Sequence, residues 1–324
     1  MINIKKTISS VLILSVLVCF NIDKGSADTI SSEPAVEPPP ETVNVKAKSI
    51  KLDGSRLIFG KKGDKLKLTA TVKPKDAYPA KVTFTSSDKK IATVNKSGEV
   101  TAKNWGECTI TVKVDGKKKT CLVSVAKKWV AITFDDGPGA YTNKLLKGLK
   151  KQNIQATFFV VGSMAKANKK ILKKIDKNGH ELANHTYNHN AGASTLKDQL
   201  KKTDKVIKSV TGSNAKLMRP PGGVINDTTK KCGKAVIMWS KDPKDWRDRN
   251  SATVRQRVVS SAKSGDIILL HDIHPTSVTA ALKITKDLKK KGYTFVTVST
   301  IIGSPQKNKV YFKGGSKVKT MKIK

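Results

Sequence analysis

The chain has 324 residues, which exceeds the usual size of one hydrophobic core and predicts two domains with flanking segments. Hydrophobic residues make up 38% of the sequence and charged residues 27%, the composition of a soluble globular protein. No apolar run reaches the roughly 20 residues that cross a bilayer, which argues against a transmembrane segment in the mature protein. The formal charge of +38 is a very large excess and indicates a polyanionic partner.

The N-terminus has the pattern of an export signal. Lys5 and Lys6 precede an apolar run from Ile8 to Phe20, and Gly25 and Ala27 have the spacing that a signal peptidase prefers. We therefore expect a signal peptide over residues 1–27 and a protein that is secreted, either extracellular or associated with the cell wall.

Removal of this signal leaves a charge of +36, because three lysines and one aspartate are lost. For an exported protein, anionic cell-wall polymers are more plausible partners than nucleic acid, and the sequence contains no aromatic platform for bases. Individual lysines fit an ordinary solvated helix face, so only the total indicates a partner.

Residues 28–45 are rich in Pro, Glu and Ser and are expected to form a linker. Residues 46–126 contain short alternating runs separated by turn residues, which predict a small antiparallel β-sandwich. The runs are 66–72, 81–85, 91–94, 108–114 and 120–125. The segment SSDKKIATVNKSGEVTAKNWGECTITV resembles the bacterial immunoglobulin-like group 2 domain. No catalytic pattern is visible in this domain, and a spacer role is as plausible as sugar or wall binding.

Export permits a disulfide within the sandwich. Cys108 and Cys121 flank a predicted hairpin that turns at Asp115 and Gly116, so we expect them to face each other and to form a candidate bridge. Cys232 is then left as a small buried residue.

From residue 128 to 304 strands alternate with helices, which predicts an α/β domain with a largely parallel sheet and an incomplete, distorted (β/α) barrel. Helices are expected at Ser194–Val210 and Ser277–Lys291, and residues 305–324 form a basic tail expected to be superficial or poorly ordered. Seven strands are predicted, at 129–134, 157–161, 180–184, 215–218, 235–239, 266–270 and 294–298.

Functional groups of a parallel barrel gather at the carboxyl ends of its strands. Five of the seven predicted strands end in clusters of acidic, His, Arg or Trp residues. These clusters are Asp135 with Asp136, His185 with His189, Arg219, Asp242 with Asp245 and Trp246, and His271 with Asp272.

The spacing of His185 and His189 places both imidazoles on one side of a helical turn, which suits a tetrahedral metal. Alone, two such surface histidines are a weak signal. A catalytic zinc needs about three protein ligands and an open position for water, and a carboxylate from Asp135 or Asp136 would complete the set. A cation beside one aspartate leaves its neighbour free as a base.

Each of the other clusters has an ordinary explanation when it is taken alone. Asp135 and Asp136 precede Gly137 and Pro138 and fit an acidic turn, and Arg219 fits a surface salt bridge. Arg219 also precedes a Pro-Pro-Gly-Gly loop, which can present backbone N–H groups to an oxyanion.

Five motifs in order resemble those of the polysaccharide deacetylases, carbohydrate esterase family four. They are TFDDGP at 133–138, HTYNH at 185–189, RPPGG at 219–223, DPKDW at 242–246 and LLH at 269–271. The resemblance spans residues 128–301 and implies a distorted (β/α) barrel that hydrolyses acetyl groups of N-acetylated sugars or of acetylated xylan.

By position, the resemblance implies Asp136, His185 and His189 as metal ligands and Asp135 as the catalytic base. Arg219 would hold that base, His271 would be the acid, and Asp245 would tune His271. The metal would be Zn²⁺, with Co²⁺, Mn²⁺ or Ni²⁺ as alternatives.

Three residues are implied to contact substrate. The Gly222 amide would stabilise the oxyanion, Trp246 would offer an apolar face to a sugar ring, and Leu269 would shape the acetyl pocket or simply belong to the core. Many family members have an aromatic residue where Gly222 stands, so one groove wall is expected to be lower here.

The sequence thus predicts a metal-dependent deacetylase acting on N-acetylglucosamine units, with peptidoglycan as the first choice of polymer and chitin oligomers as another. An acetyl xylan esterase with the same groups and a non-catalytic wall-binding protein are the alternatives. The oligomeric state is left open.

Overall fold

The protein is described by a computed structural model over residues 45–75, 77, 81–192 and 194–323. The predicted signal peptide and the predicted linker up to residue 44 lie outside these residues. Within them, no helix combines the length and apolar character needed to cross a membrane.

The N-terminal domain consists of short β-strands in three sheets. Its nine strands in the described residues are β1 Ser49–Leu52, β2 Arg56–Phe59, β3 Lys65–Lys67, β4 Ala70–Lys73, β5 Thr83–Ser86, β6 Ala92–Val94, β7 Glu99–Ala102, β8 Gly106–Val114 and β9 Lys117–Val125.

The two principal sheets of this domain are a layer containing β2, β9, β8 and β5 and a layer containing β3, β7 and β6. A small β1–β4 sheet adjoins them. Apolar residues from both principal layers, such as Phe59, Val100 and Val123, form one buried core. The expected sandwich is therefore present, although β2 pairs with β9 in parallel and departs from a purely antiparallel arrangement.

The expected disulfide is absent, which corrects the prediction from spacing. Cys108 and Cys121 are both buried free thiols. The register of β8 and β9 pairs Cys108 with Val123 and Cys121 with Ile110, so the thiols are diagonal neighbours. Diagonal neighbours lie roughly 7–8 Å apart, with somewhat shorter Cβ–Cβ distances, whereas a disulfide needs Cβ atoms about 3.8 Å apart.

The C-terminal domain alternates strands and helices, as predicted. Its strands from residue 128 onward are β10 Lys128–Asp135, β11 Thr157–Val160, β12 Glu181–Asn184, β13 Leu217–Met218, β14 Ala235–Ile237, β15 Asp266–His271 and β16 Tyr293–Phe295. Its helices are α1 Thr142–Lys151, α2 Gly162–Ala167, α3 Lys169–Lys177, α4 Leu196–Thr211, α5 Asp227–Lys230, α6 Asp245–Asp248, α7 Ser251–Ser261, α8 Pro275–Lys290 and α9 Val298–Ile302.

The seven strands pair in parallel in the order β15-β10-β11-β12-β13-β14, and β16 pairs with the start of β10. This is the expected half-open (β/α) barrel. Strand β10 is buried on both faces, since Val130 and Ile132 contact the helices while Trp129 and Ala131 point into the barrel core. Such two-sided burial explains its continuous apolar sequence.

The basic tail is more ordered than expected. Its strands are β17 Val310–Tyr311, which pairs with β14, and β18 Met321–Ile323, which pairs antiparallel with β2. Both β14 and β2 would otherwise present unpaired backbone groups, and the tail supplies partners for them.

A buried charge network joins the two domains. Arg56, only 2% exposed, donates to the Phe295 carbonyl over 3.0 Å and to Glu107 over 3.1 Å. Glu107 in turn accepts from Lys289 over 2.7 Å. The core of the barrel also continues onto Ile58 of β2, so polar and apolar contacts both hold the domains together.

Candidate active site

The predicted functional residues converge on one edge of the barrel. Asp135 ends β10, His185 directly follows β12, Arg219 directly follows β13, and His271 ends β15. The carboxyl ends of parallel strands meet at the same edge of a sheet, so residues far apart in sequence become neighbours.

Asp136, His185 and His189 form a compact group in which one ligand atom from each lies within 4.8 Å of the others. Asp136 Oδ1 is 3.4 Å from His185 Nε2 and 3.3 Å from His189 Nε2. One carboxylate oxygen therefore faces two imidazole nitrogens, which is a donor set suited to a divalent transition metal.

The backbone at this group is strained. Asp136 has φ of 74°, Thr186 has φ of 66° and His189 has φ of 60°, all in the left-handed region that non-glycine residues rarely adopt. Each such residue costs on the order of 1–3 kcal/mol and persists only where surrounding structure enforces it. Part of that enforcement comes from Asn184, whose Oδ1 accepts from the Thr186 N–H over 2.9 Å.

Hydrogen bonding around these residues fits a bound cation. His185 Nδ1 lies 2.7 Å from the Arg219 carbonyl oxygen, an acceptor, so Nδ1 carries the proton and Nε2 presents its lone pair to Asp136. Asp136 Oδ1 is buried and makes no hydrogen bond within the described part of the chain. Burial lowers the pKa of His189 despite the nearby charge of Asp136, which favours the neutral imidazole that binds metals.

Asp135 is held differently from its neighbour. Its Oδ1 accepts a hydrogen bond from Arg219 Nη1 over 2.7 Å, and both side chains are buried. Its Oδ2 lies 3.8 Å from His185 Nε2, beside the metal-binding group. The two adjacent aspartates thus have separate environments, one facing imidazoles and the other tied to a guanidinium.

Arg219 is completely buried and makes several hydrogen bonds, so it does not form the surface salt bridge that was the alternative interpretation. Its Nη1 also donates to Thr133 Oγ1 over 2.8 Å, and its other nitrogens donate to the carbonyl oxygens of Ile237 and Met238 over 3.0 and 2.9 Å. The guanidinium lies 4.1 Å from the ring centroid of Phe159. Its position is therefore determined by strands β10, β11 and β14 together.

His271 is fixed by Asp245, which is fully buried. Asp245 Oδ1 lies 3.0 Å from His271 Nδ1, and Oδ2 accepts from the His271 backbone N–H over 2.9 Å. Burial by itself would lower the pKa of His271. The hydrogen bond to Asp245 and the charges of Asp135 and Asp136 outweigh burial and raise that pKa to about 9. The imidazole is consequently protonated at neutral pH.

A cavity of about 460 Å³ is lined by the proposed metal ligands, by Asp135 and His271, and by the three predicted contact residues. Leu269 is buried in its wall and Trp246 stands at its rim, 45% exposed. Gly222 has φ of 63° and open space around the position of a Cβ atom, whereas a Cβ on Gly223 would lie 2.8 Å from Trp239. The wall of the cavity is thus low at Gly222, whereas the next residue is tightly packed.

Sequence reasoning gave no role to Asp272 and did not identify Thr142. Asp272 is completely buried, accepts a hydrogen bond from Thr142 Oγ1, and lies directly beneath Gly137. Thr142 Oγ1 also accepts from the Gly139 N–H over 2.8 Å. These residues support the loop that carries Asp136. The position of Asp272 next to His271 was the only sequence signal for it.

The comparisons with known proteins agree with this architecture. A family model described as polysaccharide deacetylase matches residues 123–237, and one described as bacterial Ig-like domain (group 2) matches residues 46–123. The fold and the site define a carbohydrate-active hydrolase built on a half-open (β/α) barrel.

Two relatives cover the barrel domain. The chain is 40% identical over 190 residues to a peptidoglycan-N-acetylglucosamine deacetylase of Bacillus cereus, covering 54% of this chain and 89% of that protein. It is 41% identical over 181 residues to the peptidoglycan-N-acetylmuramic acid deacetylase PdaC of Bacillus subtilis, covering 54% of this chain but 39% of that protein. The chain belongs to the polysaccharide deacetylase family and carries a bacterial Ig-like domain before the barrel.

A solved structure is also similar to the barrel domain. The family 4 acetyl xylan esterase from Clostridium thermocellum, in complex with a cobalt ion, superimposes with a TM-score of 0.54 at 30% identity. The match covers 57% of this chain and 98% of that chain.

Proposed function

We propose that the protein is a secreted, metal-dependent deacetylase that hydrolyses the N-acetyl groups of N-acetylglucosamine units in peptidoglycan. The main observation in support of this proposal is that two adjacent aspartates have different partners. Asp136 faces His185 and His189, while Asp135 is paired with Arg219. The similarity to a peptidoglycan-N-acetylglucosamine deacetylase supports the choice of substrate.

Asp136, His185 and His189 would hold the metal. A divalent cation such as Zn²⁺ supplies Lewis acidity there, polarising the acetyl carbonyl and making water more acidic. The unsatisfied Asp136 oxygen and the lowered pKa of His189 agree with this role.

Asp135 acts as the general base. Its Oδ1 is occupied by Arg219, so Oδ2 is the oxygen available to accept a proton from the attacking water. The pairing also fixes the orientation of the carboxylate. The water oxygen then forms a bond to the acetyl carbon, and the Gly222 amide stabilises the developing oxyanion.

His271 acts as the general acid. Its Nδ1 is bound to Asp245, which leaves the Nε2 proton to be donated to the sugar nitrogen as the C–N bond breaks. Acetate and a free amine on the sugar are the products. A pKa of about 9 keeps this acid protonated at neutral pH.

Leu269 and Trp246 position the substrate in this scheme. The buried Leu269 side chain provides an apolar surface for the acetyl methyl group, and the exposed Trp246 ring provides a stacking surface for a sugar.

The test is acetate release by the purified protein, supplied with Zn²⁺, from N-acetylglucosamine oligomers and from peptidoglycan fragments. We expect release to require the metal, to stop on chelation and to be abolished by Asp135→Asn. Asp176→Asn, which alters an exposed carboxylate on α3, is the matched control and should retain activity. Release that survives both chelation and Asp135→Asn would sink the mechanism.

The same assay separates the alternatives. The solved acetyl xylan esterase supports activity on acetylated xylan, and PdaC supports N-acetylmuramic acid as the acetylated sugar. Acetate release from acetylated xylan alone would identify the protein as an esterase. Release from N-acetylmuramic acid units alone would identify that sugar, and not N-acetylglucosamine, as the substrate. No acetate from any of these substrates would favour a non-catalytic wall-binding protein.

A further inference from the structure

A lysine-rich cleft lies away from the active site. It has a volume of about 1200 Å³ and is bordered by α4 on one side and by the segments preceding β13, β14 and β17 on the other. Two aspartates, Asp198 and Asp204, also line it. Its nine lysines are Lys197, Lys201, Lys202, Lys205, Lys208, Lys216, Lys231, Lys234 and Lys307.

The positive charge of this cleft is almost uncompensated. Lys234 is buried, and its Nζ lies 2.6 Å from Asp204 Oδ2. This is the only ion pair that the nine lysines form within the described structure. The eight remaining lysines have no ion-pair partner among the described residues. Like charges gathered in a concave surface repel one another and concentrate a positive potential, so a bound anion would relieve the repulsion.

The lysines of α4 form a row. Lys197, Lys201, Lys205 and Lys208 follow one another at intervals of four, four and three residues, which places them on one side of the helix. With a rise of 1.5 Å per residue, the row extends for roughly 16 Å. A row of this length suits several successive anionic groups of a chain better than one isolated anion.

The types of residue in the cleft indicate the kind of anion. It contains Lys but no Arg, so recognition depends on compact, mobile point charges and not on the rigid bidentate fork with which Arg matches a carboxylate or a phosphate. Lys binds phosphate groups as a point charge, and a phosphodiester chain presents one negative charge per unit at regular spacing. The concave shape favours a single chain over a flat bilayer surface.

The cleft is separate from the catalytic cavity. Lys216, Lys231 and Lys307 precede strands of the barrel, so they lie toward its amino edge, whereas the catalytic groups lie at the carboxyl edge. The two cavities share no lining residue. A polymer bound in the cleft would therefore leave the catalytic cavity open.

We propose that this cleft binds a linear phosphodiester polymer and so holds the protein on an anionic wall polymer while the catalytic cavity, which shares no lining residue with the cleft, remains available to substrate. The site is independent of the proposed catalytic reaction and does not require it.

The test compares two triple variants of the full chain with equal loss of charge. The cleft variant carries Lys197→Gln, Lys201→Gln and Lys205→Gln. The control carries Lys169→Gln, Lys170→Gln and Lys173→Gln on the exposed side of α3, outside the cleft. Binding of a synthetic poly(glycerol phosphate) oligomer is measured over a range of salt concentrations, and binding of phosphatidylglycerol vesicles is measured in parallel.

We expect the cleft variant to bind the oligomer at least about tenfold more weakly, with the control within about twofold of wild type. The slope of log affinity against log salt should shrink by roughly 0.7 per lysine removed in the cleft, as for a single-stranded polyanion. Acetate release from a neutral N-acetylglucosamine oligomer should be unchanged in both variants, which separates this proposal from the proposed function.

Equal weakening in the two variants would overturn the proposal, because it would show that net charge alone determines binding. Unchanged oligomer binding in the cleft variant would also overturn it. A selective loss of vesicle binding, with oligomer binding retained, would replace the polymer by a membrane surface.

Discussion

Arg219 and Asp135 form a buried ion pair in which Nη1 lies 2.7 Å from Oδ1. Arg219 has no exposed surface and Asp135 is only 3% exposed, so the pair is shielded from bulk solvent. Three further hydrogen bonds hold the guanidinium to Thr133 and to two carbonyl oxygens. The pair therefore both orients the proposed base and contributes to the stability of the barrel.

We expect Arg219→Met to destabilise the protein by roughly 3–5 kcal/mol, because it leaves the Asp135 carboxylate buried without a counter-charge. Urea denaturation measures the loss. Lys65→Met, in the exposed Lys65–Glu99 pair, is the control and should change the unfolding free energy by no more than about 1 kcal/mol. Similar values for the two variants would contradict the role of the buried pair.

Asp245→Asn is expected to move the alkaline limb of the pH–activity profile to lower pH. His271 must be protonated to act as an acid, so activity should persist below its pKa of about 9 and fall as the pH rises through that value. Removal of the Asp245 charge lowers the pKa of His271, since that charge helps to raise it. Measurement of kcat/KM against pH for both proteins is the check, and an unmoved alkaline limb would rule out His271 as the acid.

His185→Ala and His189→Ala should each lose bound metal, measured as moles of metal per mole of protein after dialysis against limiting Zn²⁺. Each substitution removes one of three candidate ligands grouped within 4.8 Å. His180→Asn is the control, because His180 is buried directly before β12 and belongs to no such group among the described residues. Full metal occupancy in both alanine variants would place the metal elsewhere.

His180 should make stability fall in mild acid. Burial lowers the pKa of His180 to about 4, below its ordinary 6.5, so between these values the unfolded chain binds a proton that the folded protein does not. Its contribution to stability is present above pH 6.5 and is lost as the pH falls towards 4, by up to about 3 kcal/mol.

The corresponding measurement is the unfolding free energy of wild type and His180→Asn at several pH values between 7 and 4. In wild type, the Ala156 N–H donates a hydrogen bond to His180 Nδ1 over 3.1 Å. Asparagine also has an acceptor for this N–H, but its side chain does not titrate. The difference between the two proteins should shift in favour of the variant as the pH falls. A difference independent of pH would show that folding does not lower the pKa of His180.

The barrel strands were predictable because each is a short apolar run between helices of clear periodicity. Prediction succeeded for β10, which has apolar residues on both faces, and for the end of α4, where Gly212 adopts a left-handed φ of 78°. The three-sheet sandwich was predicted less completely. Strands β1, β2 and β7 are short and mix polar with apolar residues, so their alternation gave no clear signal.

Pairing register and long-range contacts were beyond prediction. Cys108 and Cys121 flank one hairpin, yet a register in which Cys108 pairs with Val123 keeps the thiols diagonal. The strand at Met321–Ile323 is recognisable only through its partner β2, more than 260 residues earlier. Local sequence contains no information on which distant edge a short polar strand will complete.

For this protein, the sequence by itself determined which acidic, histidine and arginine residues stand at the ends of the barrel strands. It also determined which family these residues resemble. Tertiary structure alone decided that Asp136 faces two imidazoles and that Asp135 is paired with Arg219. It also decided that eight lysines around a single cleft have no ion pair with any residue that the structure describes. The physical reason is that strand-end positions follow from local periodicity, whereas ionisation, hydrogen bonding and charge compensation depend on neighbours that only folding brings together.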